Sequence, residues 1–182
     1  MTRRRLPHLY PENGWLFVTW NLHGSLPQAM YPPPGKPSAG KAFVWMDRRL
    51  DAATTGPMFL RRPEVAALVA GALGQGSAKG LYDLRAFVVM GNHVHILFRP
   101  RQQASRVLQW LKGTTARDAN KLLGRTGQPF WQRESYDHWV RDERQLGRVA
   151  AYIEENPVRA GLAAEASGYS WSSAAARTRT AN

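Results

Sequence analysis

The sequence predicts an α+β fold in which two strand–helix halves contribute to one antiparallel sheet. Three observations carry this. Short runs rich in aromatic and β-branched residues recur along the chain, longer runs between them space their apolar residues at helical period, and turn-forming residues separate the two kinds.

Gly14 to Leu22 (GWLFVTWNL) reads as the first strand. Pro27, Pro32, Pro33, Pro34 and Pro37 follow, with several glycines, so a long exposed loop is expected at about 24–41. Phe43-Val44-Trp45-Met46 is a candidate short strand. Pro63 opens a helix with Val65, Leu68, Val69 and Leu73 on one stripe, and the Gly74 to Gly80 stretch ends it. Leu81–Met90 and Val94–Arg99 form two strands, and Gly91-Asn92 between them has the residue types of a tight hairpin with φ > 0. A second helix spans about Ser105 to Leu123, with Ser105 as N-cap and Gly124 just past its end. Tyr136–Arg141 reads as a fourth strand. A third helix runs from about Glu143 to Glu155 and is expected to stop at Asn156-Pro157, because the residue before proline disfavours the α region. The alanine- and serine-rich tail has Trp171 as its strong anchor and is expected to be flexible over about 175–182.

The first six elements match the ferredoxin-like β-α-β-β-α-β unit, an antiparallel sheet, with an additional C-terminal helix. No internal repeat is visible, and 182 residues favour a single domain over 1–182.

Composition narrows the function. Lys and Arg number 25 against 13 Asp and Glu, a net charge of +12, and such a surface attracts polyanions, above all nucleic acid. Cysteine is absent, which excludes disulfides, thiolate metal sites and a cysteine nucleophile. The opening Met1-Thr2-Arg3-Arg4-Arg5-Leu6-Pro7 lacks the apolar run of a secretory signal, and nothing approaches a membrane-spanning stretch. A cytoplasmic protein is expected.

Two motifs can carry chemistry. Side chains alternate along a strand, so His93 and His95 leave the same face at a separation one cation can bridge, while Val94, Ile96 and Phe98 point to an apolar layer. On the third helix the core stripe is Leu146, Val149 and Ile153. Tyr152 lies about 100° from it, on a flank shared with Arg148 and Asn156. Tyr152 and Asn156 stack at i and i+4, pairing a phenol with an amide oxygen that suits a hard cation. The plainer alternative makes Tyr152 a packing residue and Asn156 a helix cap. For DNA contact the candidates are Arg3, Arg4 and Arg5 as a basic arm, and Lys112, Arg117, Lys121 and Arg125 on the second helix, with Arg133 near them. Trp131, with Phe130 and Trp139, could stack unpaired bases; equally, the charges could be a solvated face and the tryptophans core. Tyr136 and His138 are rival groups for the same cleft.

Three segments together carry a resemblance. They are Met90-Gly91-Asn92-His93-Val94-His95-Ile96-Leu97, then Pro129-Phe130-Trp131-Gln132-Arg133-Glu134-Ser135-Tyr136-Asp137-His138, then Tyr152-Ile153-Glu154-Glu155-Asn156-Pro157-Val158-Arg159-Ala160-Gly161-Leu162. Thr19-Trp20-Asn21-Leu22-His23-Gly24-Ser25-Leu26-Pro27 and Tyr169-Ser170-Trp171-Ser172-Ser173-Ala174 extend it. The chain resembles transposases of the IS200 type, which join a histidine pair to a single catalytic tyrosine, and within them the REP-associated tyrosine transposases. The resemblance implies that His93 and His95 bind Mg²⁺ or Mn²⁺, that Asn156 completes the metal site, and that Tyr152 is the nucleophile on a catalytic helix. The implied activity is metal-dependent cleavage and rejoining of single-stranded or hairpin DNA through a 5′-phosphotyrosine link. The family usually has proline where this chain has Gly91. A homodimer is compatible with the family. The competing reading is a retired transposase that keeps its basic surface as a single-stranded nucleic-acid-binding protein; a third is a metal-binding structural domain without a nucleic-acid partner.

Overall fold

The computed structural model describes residues 14–25, 47–52 and 56–180. Arg3, Arg4, Arg5, the expected strand at 43–46 and nearly all of the proline-rich loop lie outside these residues. The elements are β1 (Trp15–Asn21), α1 (Pro63–Ala78), β2 (Tyr82–Val89), β3 (His93–Pro100), α2 (Ala104–Leu122), β4 (Tyr136–Val140), α3 (Glu143–Arg159) and α4 (Ser173–Thr180). A helical turn at 47–51 precedes α1.

The sheet order is β2-β3-β1-β4 and every pairing is antiparallel, the ferredoxin-like arrangement expected from the element order. β1 and β3 are central and buried on both faces. One face presents Leu16, Val18, Trp20, Val94, Ile96 and Phe98 to Val65, Val69 and Leu73 of α1 and Val107 and Leu111 of α2. The opposite face presents Phe17, Ala86, Val88 and Leu97 to Leu146, Ala150 and Ile153 of α3. Strand alternation thus sorts two helices to one side and one to the other. The face under α3 is the one that carries the histidines.

Several local expectations are corrected. α3 does not stop at Asn156; it continues through Pro157 to Arg159. Pro157 has no N–H to give the Ile153 carbonyl and its ring crowds that carbonyl, yet the helix runs on for two more residues. The stop comes from Gly161, in the left-handed region at φ 69°, with Gly161 N–H donating to the Val158 carbonyl and Leu162 N–H to the Pro157 carbonyl. α2 begins at Ala104 after Gln103, so Ser105 is not its N-cap.

Gly91 lies outside the left-handed region, contrary to the hairpin reading. Its smallness serves a close approach, since a Cβ there would come within 3.1 Å of Arg61 Cγ.

The tail expected to be flexible from about 175 is helical from Ser173 to Thr180. Its approach seals the β2 edge. Val89 N–H donates to the Trp171 carbonyl, Ser172 bridges to Val88, and Phe87 N–H donates to Ser173 Oγ. Glu154 on α3 then accepts from Ser173 Oγ at 2.6 Å and from Arg177 at 2.7 Å. Small residues that read as featureless in sequence are what allow this close docking.

Candidate active site

The β1–β3 register sets Thr19 opposite His95 and Asn21 opposite His93. Both imidazoles are buried, at 1% and 0% exposure, and their Nε2 atoms lie 3.1 Å apart. Their outer nitrogens are held from behind. Asn92 donates its amide N–H to the Leu50 carbonyl, which leaves its Oδ1 to accept from His93 Nδ1 at 2.7 Å. His95 Nδ1 lies 2.7 Å from Thr19 Oγ1. A proton on each Nδ1 turns both Nε2 lone pairs toward one point, the way a metal-binding histidine is usually oriented. Burial, then the neighbouring His95, pushes the His93 pKa down to about 3 despite the opposing charge of Asp47, so its ring is neutral.

The sequence reading missed the third member of this cluster. Asp47, 2% exposed, comes from the helical turn at 47–51 and puts Oδ1 3.0 Å from His95 Nε2 and 3.7 Å from His93 Nε2. Among the described residues, the ligand atoms of Asp47, His93 and His95 converge tightly enough for one metal ion. Cis ligands about 2.1 Å from a cation stand roughly 3.0 Å apart, so these separations fit a shared ion. With its proton on Nδ1, His95 presents Nε2 as an acceptor, and a cation shared with the carboxylate oxygen then makes 3.0 Å favourable; with the proton on Nε2 the contact is a hydrogen bond to Asp47.

Asn156 is fully buried beside the cluster. Its Nδ2 lies 3.2 Å from His95 Nε2, and its Oδ1 has no hydrogen-bond partner, as is true of Asp47 Oδ1. Orphaned buried oxygens are costly unless something cationic satisfies them. Burial, which favours the neutral acid, is outweighed at Asp47 by His95, His93 and Arg159, and its pKa is lowered. Asp51, one turn on, has Oδ1 3.7 Å from His93 Nε2; burial and the charge of Asp47 raise its pKa to about 6.

Tyr152 meets this group directly. Its hydroxyl donates to Asp47 Oδ2, its ring stands edge-on to His95 and Phe17, and it is half-buried. The sequence-predicted quartet of His93, His95, Tyr152 and Asn156 is therefore brought together, with Asp47 joining the phenol to the imidazoles. One signal for Asp47 was present in the sequence: Asp47 and Asp51 have the i, i+4 spacing of two carboxylates on one helical face.

The expected DNA contacts fare differently. Trp131 is 8% exposed, packs edge-on to Trp20 and donates its indole N–H to Thr115 Oγ1, so it is a core residue rather than a stacking platform. Phe130 is buried as well, while Trp139 on β4 is 44% exposed. Lys112 donates to the Gln132 and Arg133 carbonyls and anchors that loop. Arg117 pairs with Asp118, and Arg125 lies over the Phe59 ring. Lys121 and Arg133 are exposed. Of the rival groups, Tyr136 packs edge-on to Phe17 and burial raises its pKa to about 12, and His138 pairs with Gln145.

A family model described as Transposase IS200 like matches residues 64–156, more than half of the chain, including both histidines and Tyr152. The chain belongs to the IS200-like transposase family. Among solved structures it is similar to a REP-associated tyrosine transposase bound to a REP hairpin, at 17% identity and TM-score 0.62, covering 94% of this chain and 82% of that one. At that identity the likeness establishes the family fold. A Deinococcus radiodurans r1 protein assigned as a transposase overlaps at 17% identity and TM-score 0.47, covering 86% of this chain and 98% of that one. No curated protein matches. No helix among the described residues is long and apolar enough to cross a membrane.

Proposed function

We propose that this IS200-like transposase is a metal-dependent single-strand DNA endonuclease and strand transferase, acting on hairpin or repeat DNA of the REP-associated kind through a covalent bond to Tyr152. The observation that carries the reading is the shared carboxylate: Asp47 touches both the Tyr152 hydroxyl and His95 Nε2. A nucleophile and a set of cation ligands meet at one residue.

A divalent cation, Mg²⁺ or Mn²⁺, held by His93, His95 and Asp47 with Asn156 beside them, supplies Lewis acidity toward a phosphate oxygen when bound. A free tyrosine has a pKa of ~10 and needs help to attack at neutral pH. Asp47 Oδ2 accepts the hydrogen bond from the phenol, so it orients the oxygen and stands ready to take its proton. Attack forms the Tyr152 oxygen–phosphorus bond as the bond from phosphorus to the 3′-oxygen breaks. The phenol proton passes to Asp47 and the 3′-oxygen takes a proton from water. The products are a 5′-phosphotyrosine and a free 3′-hydroxyl, and the phosphodiester energy is kept for rejoining. Phe17 beneath both rings holds the phenol and His95 in their relative positions.

The test is incubation of the protein with labelled single-stranded hairpins and Mn²⁺, resolved on denaturing gels. Wild type yields a covalent protein–DNA product, and Tyr152→Phe binds the same DNA without one. An adduct that persists in Tyr152→Phe places the nucleophile elsewhere. Binding without any wild-type adduct identifies a retired nucleic-acid-binding protein.

A further inference from the structure

The cavity beside Tyr152 holds two cations that the chemistry above leaves unused. It is an open cleft of about 440 Å³ lined by Asp47, Arg48, Asp51, Tyr152 and Arg159. Arg159 lies over the Tyr152 ring, its guanidinium carbon 3.9 Å from the ring centre, with a long 3.5 Å contact from Nη2 to the Tyr152 carbonyl. Among the described residues no carboxylate lies within salt-bridge distance of Arg159 or Arg48, although the charge of Arg159 reaches Asp47 and Asp51.

We propose that Arg159, with Arg48 beside it, is the phosphate clamp of this site and holds the phosphodiester that Tyr152 attacks. The inference deepens the transposase reading above and rests on it for the identity of the bound anion.

Three features support it. A guanidinium laid over an aromatic ring uses its face and leaves its in-plane N–H donors for other partners. Those donors have the fork geometry that matches two phosphate oxygens, and the ring they rest on belongs to the nucleophile itself. The charges also balance: two carboxylates and two guanidiniums cancel, and a divalent ion on the imidazole side leaves the cavity positive, complementary to a phosphodiester. Arg159 is available here because α3 continues past Pro157 for the two residues that bring position 159 beneath position 152. It is exposed, so its replacement leaves the fold intact.

The test uses the full chain in Mg²⁺ with dimethyl phosphate, a singly charged phosphodiester, titrated and followed by ³¹P NMR. Wild type binds it saturably. Arg159→Ala binds about tenfold more weakly or worse, and Arg159→Lys, which keeps the charge but not the fork, falls between. Arg101→Ala, which removes a guanidinium already paired with Asp83, binds as wild type does. In parallel, single-turnover adduct formation on a cleaved hairpin slows about 100-fold in Arg159→Ala, the usual cost of one donor at a developing charge. Equal dimethyl phosphate binding by wild type and Arg159→Ala overturns the clamp, even where adduct formation slows, since the residue then acts on Tyr152 alone. Absence of saturable binding in wild type overturns it as well. Arginine-dependent binding without an adduct on any hairpin retains the anion site and removes the transposase chemistry, so the two failures are distinct.

Discussion

The carboxylate of Asp47 stands 3.0 Å from Nε2 of His95, although one comes from a short helical turn and the other from the centre of the sheet. That separation suits a cation shared by the two atoms or an imidazole N–H donated to the carboxylate.

Metal binding is expected to stabilise the protein through this carboxylate. At a Mn²⁺ concentration about 100 times its dissociation constant, stabilisation is about 2.7 kcal/mol. Differential scanning fluorimetry shows an upward shift in wild type that EDTA reverses, and both Asp47→Ala and His95→Ala lose it. A wild-type shift retained in Asp47→Ala removes Asp47 from the ligand set.

Replacing Trp131 should cost stability rather than DNA affinity. The indole fills the core against Trp20 and caps Thr115, so Trp131→Ala destabilises by about 3–5 kcal/mol. Trp131→Leu keeps apolar volume and is expected to bind single-stranded DNA within about twofold of wild type, whereas loss of a base-stacking platform costs about 1–3 kcal/mol. Urea melts and fluorescence anisotropy measure the two effects; a large affinity loss in folded Trp131→Leu restores the stacking role.

The α3–α4 junction should be acid-sensitive. Burial raises the Glu154 pKa, but Arg177 and Ser173 hydrogen bonds and the charges of Arg177 and Arg85 outweigh it, and the folded value is lowered. A depressed carboxylate pKa contributes stability above the unfolded value, about 4.3, and loses it as pH falls through the folded value. Arg177 is half-exposed, so the pair contributes about 1 kcal/mol or less. Thermal melts of wild type and Arg177→Ala should differ near neutral pH and converge in acid; a gap that widens in acid contradicts the assignment.

Gly76→Ala tests packing against propensity. Alanine gains about 1 kcal/mol over glycine in a helix. Here its Cβ would fall 2.5 Å from the hydroxyl of Tyr82, a buried ring whose O–H donates to the Leu73 carbonyl. Overpacking of that kind costs about 1–3 kcal/mol, and the displaced hydrogen bond about 1 more, so net destabilisation is expected. A raised urea midpoint would show that Tyr82 moves aside freely.

Much of the fold was legible because the signals were local. β1 and β3 are buried on both faces and read as near-continuous apolar runs, and α2 and α3 carry clear helical stripes. That His93 and His95 share a strand face, and Tyr152 and Asn156 a helix face, was legible from alternation and helical spacing, whereas the roles proposed for them came from the family resemblance. What escaped depends on contacts distant in sequence. Asp47 gains its meaning only when its turn docks beneath β3. Pro157 gave the local stop signal, but tertiary packing and the Gly161 cap carried α3 past it. Trp131 shows the same limit in reverse: an aromatic residue does not declare in sequence which side of it meets solvent.

The seam between residues 171–173 and β2 covers one of the two edges of the sheet, β4 forming the other. Peptide groups along β2 would otherwise form an open ribbon ready to recruit any extended chain, including a sister copy. Trimming the protein ahead of Ser172 is therefore expected to uncover the Phe87 N–H and open that stretch of β2 to pairing with another extended chain.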